Sequence, residues 1–237
     1  MAGTTPDGSG PPRRLGELST VEVGQLDRAL LVVPIGSCEQ HGPHLPLDTD
    51  TTIAIALAGS LVARSAASGA VMGPAITVTS SGEHAGFPGT LSVGATVMEQ
   101  LVVELVRSAD WCAGVVLVNG HGGNAVPVHR AVSTLAAEGR RVLAWWPRLG
   151  GADAHAGHTE TSLMLAIAPH LVRLERAEAG RVEPIGELMQ ELHSNGVRAV
   201  SPNGVLGDPR GATAEHGRVL LAQLGADLVA AVEGAWA

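Results

Sequence analysis

The chain has 237 residues, 45% hydrophobic content and mean hydropathy +0.22, enough apolar material for one large core. A formal charge of −8 and an isoelectric point near 5.6 exclude a nucleic-acid binder, which needs a basic face. All 15 basic residues are arginine. The lack of lysine rules out Schiff-base chemistry, pyridoxal phosphate attachment and a Walker-type phosphate loop.

Met1–Arg14 is rich in Gly, Pro, Ser and Thr and has no apolar signal core. It reads as a disordered tail on a cytoplasmic protein, with residues 15–237 as a single domain. No stretch reaches the ~18 uninterrupted apolar residues of a membrane span. Two cysteines, Cys38 and Cys112, do not make a disulfide framework. Ser19-Thr20-Val21-Glu22 fits a capping box opening a short helix. Ala29–Ile35 then reads as a buried strand. It delivers Gly36–Asp50, GSCEQHGPHLPLDTD, a loop in which Glu39, His41, His44, Asp48 and Asp50 could all bind a metal. Such a loop repels itself unless a cation fills it, and mixed N/O donors suit Zn²⁺, Mn²⁺ or Fe²⁺.

An alanine-rich helix follows, with Asp50 or Thr49 as its expected cap. Val71–Thr79 is a second strand, broken by Gly73-Pro74, and leads into a polar loop, Ser80–Pro88, carrying Glu83 and His84. Ala95–Ala109 is a helix whose expected sheet-facing residues are Val97, Leu101, Val102, Leu105 and Val106. Gly114–Val118 is the clearest buried strand. It ends in Asn119–Asn124, NGHGGN, before a helix over Ala125–Glu138. A strand at Val142–Trp146, a polar loop at Pro147–His158 and a helix at Thr159–Ala168 come next. Helices at Ile185–His193 and Thr213–Glu233 complete the chain, joined by a Gly/Pro-rich stretch. Of the paired Trp145 and Trp146, one is expected in the core.

Strand–loop–helix repeated about four times argues for an α/β domain with a largely parallel sheet, whose loops gather at the carboxyl edge. Glu39 and His41, two apart in an extended segment, would point the same way. Asp50, His121 and Glu160 can join them. Three carboxylates and two imidazoles suit two divalent cations ~3.5–4 Å apart that share one carboxylate and activate water for amide hydrolysis. His155 and His158 are the candidates for moving the proton, with His155 favoured because the glycine after Ala156 lets the loop swing its ring over the metals. Glu83 and His84 line the substrate pocket or simply hold their loop. A reading of another class is a dinucleotide protein using Gly120, Gly122 and Ala125, but it leaves Gly36–Asp50 unexplained.

The sequence resembles the creatininase family: GSCEQHGPHLPL followed by Asp50, then NGHGGN, then Glu160-Thr161-Ser162, agree with it in order and spacing over roughly residues 15–235. The resemblance implies a three-layer α/β/α sandwich, two divalent ions per chain (Zn, Fe or Mn) and a homo-oligomer, often a hexamer. It places Glu39 and His121 on one metal and His41 on the other, with Asp50 between. One position departs. Creatinine amidohydrolases proper carry a glutamate where this chain has Gly123, so Glu160 is expected to complete the second metal and creatinine is a poor substrate guess. The wording VNGHGGN, DAHAGHTETS and GVLGDP is most similar to the mycofactocin-system branch. That implies a modified precursor peptide as substrate, cut to release its C-terminal Val-Tyr dipeptide. A small cyclic amide or a formamide is the alternative within the family.

Overall fold

The computed structural model describes residues 12–26, 29–65, 69–149, 151 and 153–236. Four parallel strands form the sheet in the order β2-β1-β3-β4, with β1 at Leu30–Ile35, β2 at Val71–Met72, β3 at Gly114–Asn119 and β4 at Val142–Trp145. β1 and β3 pair in register from Leu30↔Gly114 to Ile35↔Asn119, so their loops leave the sheet side by side. Both strands are apolar nearly throughout because both faces of the sheet are covered.

The pleat divides their side chains between two cores. Leu31, Val33, Ile35, Val115 and Leu117 join one cluster, with Met98, Val102 and Val106 of α3 (Gly94–Ser108) and Val128 and Leu135 of α4 (Ala125–Ala137). Val32, Val116, Val118 and Trp145 face the other, with α2 (Thr49–Arg64), α5 (His158–Ile167) and α8 (Ala214–Trp236). The three layers are those implied by the family resemblance. By length and composition α8 is apolar enough to cross a membrane. It instead buries Leu220, Leu224, Leu228 and Val232 in this core, and its Asp227 accepts a 2.8 Å hydrogen bond from the Trp145 indole.

Of the expected tail over residues 1–14, the part up to residue 11 lies outside the described residues. Arg13 and Arg14 run beside β2, where the Arg13 carbonyl accepts from the Met72 N–H. Ser19 and Glu22 form the expected capping box on α1 (Thr20–Gly24). The second strand is shorter than expected. Gly73-Pro74 interrupts the ladder, since proline has no N–H to give, and pairing resumes only at Ile76, opposite Ile35. The expected inner face of α3 is also corrected: Val97 and Leu101 are exposed, while Met98 and Val103 are buried.

Gly36 sits where β1 turns into its loop. A Cβ there would overlap the backbone nitrogen and hydroxyl of Thr51 at the head of α2. Gly36→Ala is therefore expected to cost about 3 kcal/mol, the upper range for overpacking, measurable as a lowered urea midpoint at unchanged m-value.

Candidate metal centre

The loops after all four strands meet at the carboxyl edge of the sheet, and they bring together Glu39, His41, Asp50, His121 and Glu160. The Glu39 N–H bonds the Leu47 carbonyl, closing residues 39–47 on themselves. Asp50, on the first turn of α2, does not cap the helix as expected, and neither does Thr49. It turns back into the site, where Ser37 Oγ donates to its Oδ2 at 2.8 Å. Asp48 is exposed, and His44 is buried against Thr161, so neither joins the cluster.

Asp50 stands between two imidazoles, with His41 Nε2 3.0 Å from Oδ1 and His121 Nδ1 3.1 Å from Oδ2. His121 Nδ1 is also 3.1 Å from Glu39 Oε1, and Glu160 Oε2 lies 3.9 Å from His41 Nε2. Donor atoms of Glu39, Asp50 and His121 fall within 4.8 Å of one another, as do those of His41, Asp50 and Glu160. A third grouping, Glu39, His41 and His155, meets the same limit.

Two features fit this cluster to cations. Both Glu39 carboxylate oxygens are buried and receive no aligned hydrogen bond, although His121 is close. An uncompensated buried carboxylate of this kind is costly unless a positive ion completes it. Each imidazole also gives its outer N–H to a backbone carbonyl, which can only accept: His41 Nδ1 to Glu39 O at 3.0 Å, and His121 Nε2 to Ser80 O at 2.9 Å. That leaves the inner nitrogen of each ring aimed at the carboxylates, the usual second-shell arrangement for a histidine ligand.

Charge follows the same geometry. Burial opposes an imidazolium at His41, yet Asp50, Glu160 and Glu39 outweigh it and raise its pKa to about 10. His121 is likewise raised by Glu39 and Asp50 against its burial. Asp50 is held well below the carboxylate range by His41 and His121 despite burial. Glu160 is pushed up to about 7 by burial and by the Asp50 charge. Without metal, the His41 pair contributes stability that is fully present below the unfolded value near 6.5 and is lost as pH rises through about 10. Metal must displace these protons, so loading runs the other way. Between pH 6 and 9 apparent affinity for Zn²⁺ is expected to rise, and titration calorimetry at pH 7.5 in buffers of different ionisation enthalpy should detect released protons.

His155 is part of the centre and His158 is not. His158 lies beside Gly211 and His216 at a separate cavity. The His155 ring packs 4.3 Å from that of His41 and 4.5 Å from that of His84, and burial followed by those two neighbours depresses its pKa strongly. Its Nε2 lies 2.9 Å from the Gln40 backbone carbonyl, which can only accept, and 3.1 Å from the Gln40 side-chain nitrogen, whose two hydrogens have His84 Nδ1 and the Gly204 carbonyl to go to. With the proton on Nε2 the lone pair is on Nδ1, 3.9 Å from Glu39 Oε1. The swing comes from Ala156 itself, at φ 52°, and not from Gly157. Backbone bonds to Leu206, inside the GVLGDP segment, clamp the loop.

Glu83 and His84 both line a cavity of about 390 Å³ that opens onto Glu39 and His121. His84 Nε2 is 3.4 Å from Glu39 Oε1, and burial lowers its pKa to about 4. Glu83 stands against Gly123: a Cβ on Gly123 would overlap the Glu83 carboxylate and the His121 ring. Trp145 is in the core, and Trp146 lines a second cavity, about 230 Å³, reaching Glu160 from the other side. The dinucleotide reading fails on contact, because Gly120 packs on the Asp50 carbonyl and carboxylates occupy the ground before α4.

Sequence reasoning passed over the residues that tie the loops together. Gln40 Nε2 is 3.0 Å from both His84 Nδ1 and the Gly204 carbonyl. Asn124 bonds Ser80, Gly36 and Asn119, and Asn119 bonds the His121 carbonyl. All three are buried amides inside the two motifs, and that placement was the available signal.

A three-layer parallel sandwich with paired carboxylate–imidazole donors at its strand ends defines an α/β protein built around a candidate metal centre. The profile described as "Creatinine amidohydrolase" matches residues 16–232, and the chain belongs to the creatininase family. The mycofactocin precursor peptide peptidase of Mycobacterium ulcerans is 46% identical over 229 residues, 92% of this chain and 91% of that one. Its counterpart in Mycolicibacterium smegmatis is 49% identical over 200 residues, 82% and 81%. A solved structure titled "Creatininase Mn" superposes with TM-score 0.77 at 24% identity, covering 94% of this chain and 98% of that one, a likeness of fold.

Proposed function

We propose that this chain is a divalent-metal amide hydrolase of mycofactocin biosynthesis that releases the modified C-terminal Val-Tyr dipeptide from the precursor peptide. The observation that carries the chemistry is the buried Glu39 carboxylate without hydrogen bonds, facing the same gap as Asp50 and His121. The two mycobacterial relatives support the substrate. In this reading Glu39, Asp50 and His121 would hold one ion, His41, Asp50 and Glu160 would hold a second, and Zn, Mn or Fe would suit both donor sets. The protein works in the cytoplasm as a homo-oligomer, hexameric by family likeness.

Bound divalent ions supply Lewis-acid polarisation of the amide carbonyl and a water acidic enough to attack near neutral pH. The chain's own residues do the rest. His155, kept neutral by burial, presents Nδ1 to take the proton of the attacking water and pass it to the leaving nitrogen. Gln40 holds that ring through its backbone carbonyl. Glu83 and His84 border the substrate's path. Gly123 and the apolar cavity beside it suit a peptide end better than a compact polar ring such as creatinine.

Purified protein loaded in turn with zinc, manganese or iron and incubated with the crosslinked precursor is expected to remove one modified dipeptide, seen as the matching mass loss. A chelator should stop the reaction and added metal should restore it. Intact precursor under all three metals would sink the reading.

A further inference from the structure

Helix α6 (Ile185–Asn195) is attached differently from the rest of the chain. It buries only Leu188, in a small cluster with Val200 and Leu206 that is separate from the two cores of the sandwich. Ile185, Met189 and Leu192 lie at i, i+4 and i+7, one stripe of the helix. All three line the 390 Å³ cavity that ends at Glu39 and His121, together with Val126, Val197 and Leu206. Ile185, Met189 and Val126 remain 42%, 39% and 57% exposed, so the apolar wall is open towards the metal centre and has no occupant among the described residues. A volume of 390 Å³ is at the small end of the ~300–1,000 Å³ typical of ligand pockets, enough for a short peptide terminus but not a folded partner.

We infer that the Ile185–Met189–Leu192 stripe is the specificity wall of the enzyme, receiving the apolar or aromatic side chains next to the scissile amide. This deepens the hydrolase reading and rests on it. The cavity has polar groups at its metal end and apolar ones along α6, the arrangement needed to hold an amide at the ions and its side chains against the helix. Met189, at the middle of the stripe, has the flexible thioether that adapts to an aromatic ring.

The test uses the zinc-loaded full chain. On the modified precursor, Met189→Glu is expected to raise KM about tenfold or more and Met189→Ala about threefold. kcat should stay within about twofold and metal content should not change, while Met189→Leu restores the native KM. Independently, calorimetry should show Val-Phe-amide binding at least tenfold more tightly than Asp-Gly-amide, with the preference lost in Met189→Glu. Equal binding of the two probes, or an unchanged KM, overturns the inference. So does a change of oligomeric mass in Met189→Glu with KM intact, which assigns the stripe to a second copy of the chain. If the wild-type protein leaves the precursor uncut, the hydrolase reading fails, and the dipeptide amides still decide the wall.

Discussion

Asp50→Asn is expected to leave a folded protein that holds neither metal of the proposed pair and has lost its activity. Among the described residues Asp50 is the carboxylate whose two oxygens face different imidazoles, Oδ1 towards His41 at 3.0 Å and Oδ2 towards His121 at 3.1 Å. It belongs to two of the three groupings of three donor atoms that lie close enough together to hold a cation. An asparagine keeps the shape and can still accept from Ser37, but it replaces one anionic oxygen with an NH₂ that repels a cation. Both binding sites lose charge together. Lewis-acid stabilisation is worth several kcal/mol, so turnover should fall roughly 10³-fold or more. Metal analysis after gel filtration should find less than one ion per chain, with circular dichroism unchanged. If the variant keeps its full metal complement and rate, Asp50 is not a ligand.

His155→Asn should separate proton transfer from metal binding. A positioned general acid–base typically contributes ~10²–10⁴-fold, and a drop in kcat of that size is expected here with KM and metal content near wild type. The reasons are local. The Gln40 carbonyl fixes the His155 Nε2–H, the free Nδ1 faces the Glu39 side of the site, and burial keeps the ring uncharged. The competing role is equally specific, since Glu39, His41 and His155 also lie close enough to hold an ion. Loss of one metal equivalent in His155→Asn would make it a ligand and remove it as the proton carrier.

Much of this was legible in the sequence because its signals were redundant. β1 and β3 are apolar at nearly every position, and each ends in a loop of glycine, histidine and carboxylate, which pointed to buried parallel strands and a shared edge. The five candidate ligands converge for that reason. What escaped depended on choices the local pattern leaves open. α3 has apolar residues on more than one side, and only packing on α4 and the sheet selects Met98 and Val103 over Val97 and Leu101. Asp50 at a helix start looks like a cap until the opposing imidazoles are in place. The left-handed turn falls on Ala156, where sequence would choose glycine, because surrounding contacts at Leu206 and Glu160 impose it. Gln40, Asn119 and Asn124 are legible only as members of motifs, since their partners come from loops far away in the chain.

The separate anchoring of α6 divides the molecule by mechanical dependence. Residues that set the ions are tied into the strand ends, where a small shift disturbs the sheet itself. The helix bordering the approach rests on a few side chains of its own, Leu188, Val200 and Leu206. Substitutions on the open stripe of that helix are therefore expected to cost the scaffold little stability, because the two cores of the sandwich are built without it.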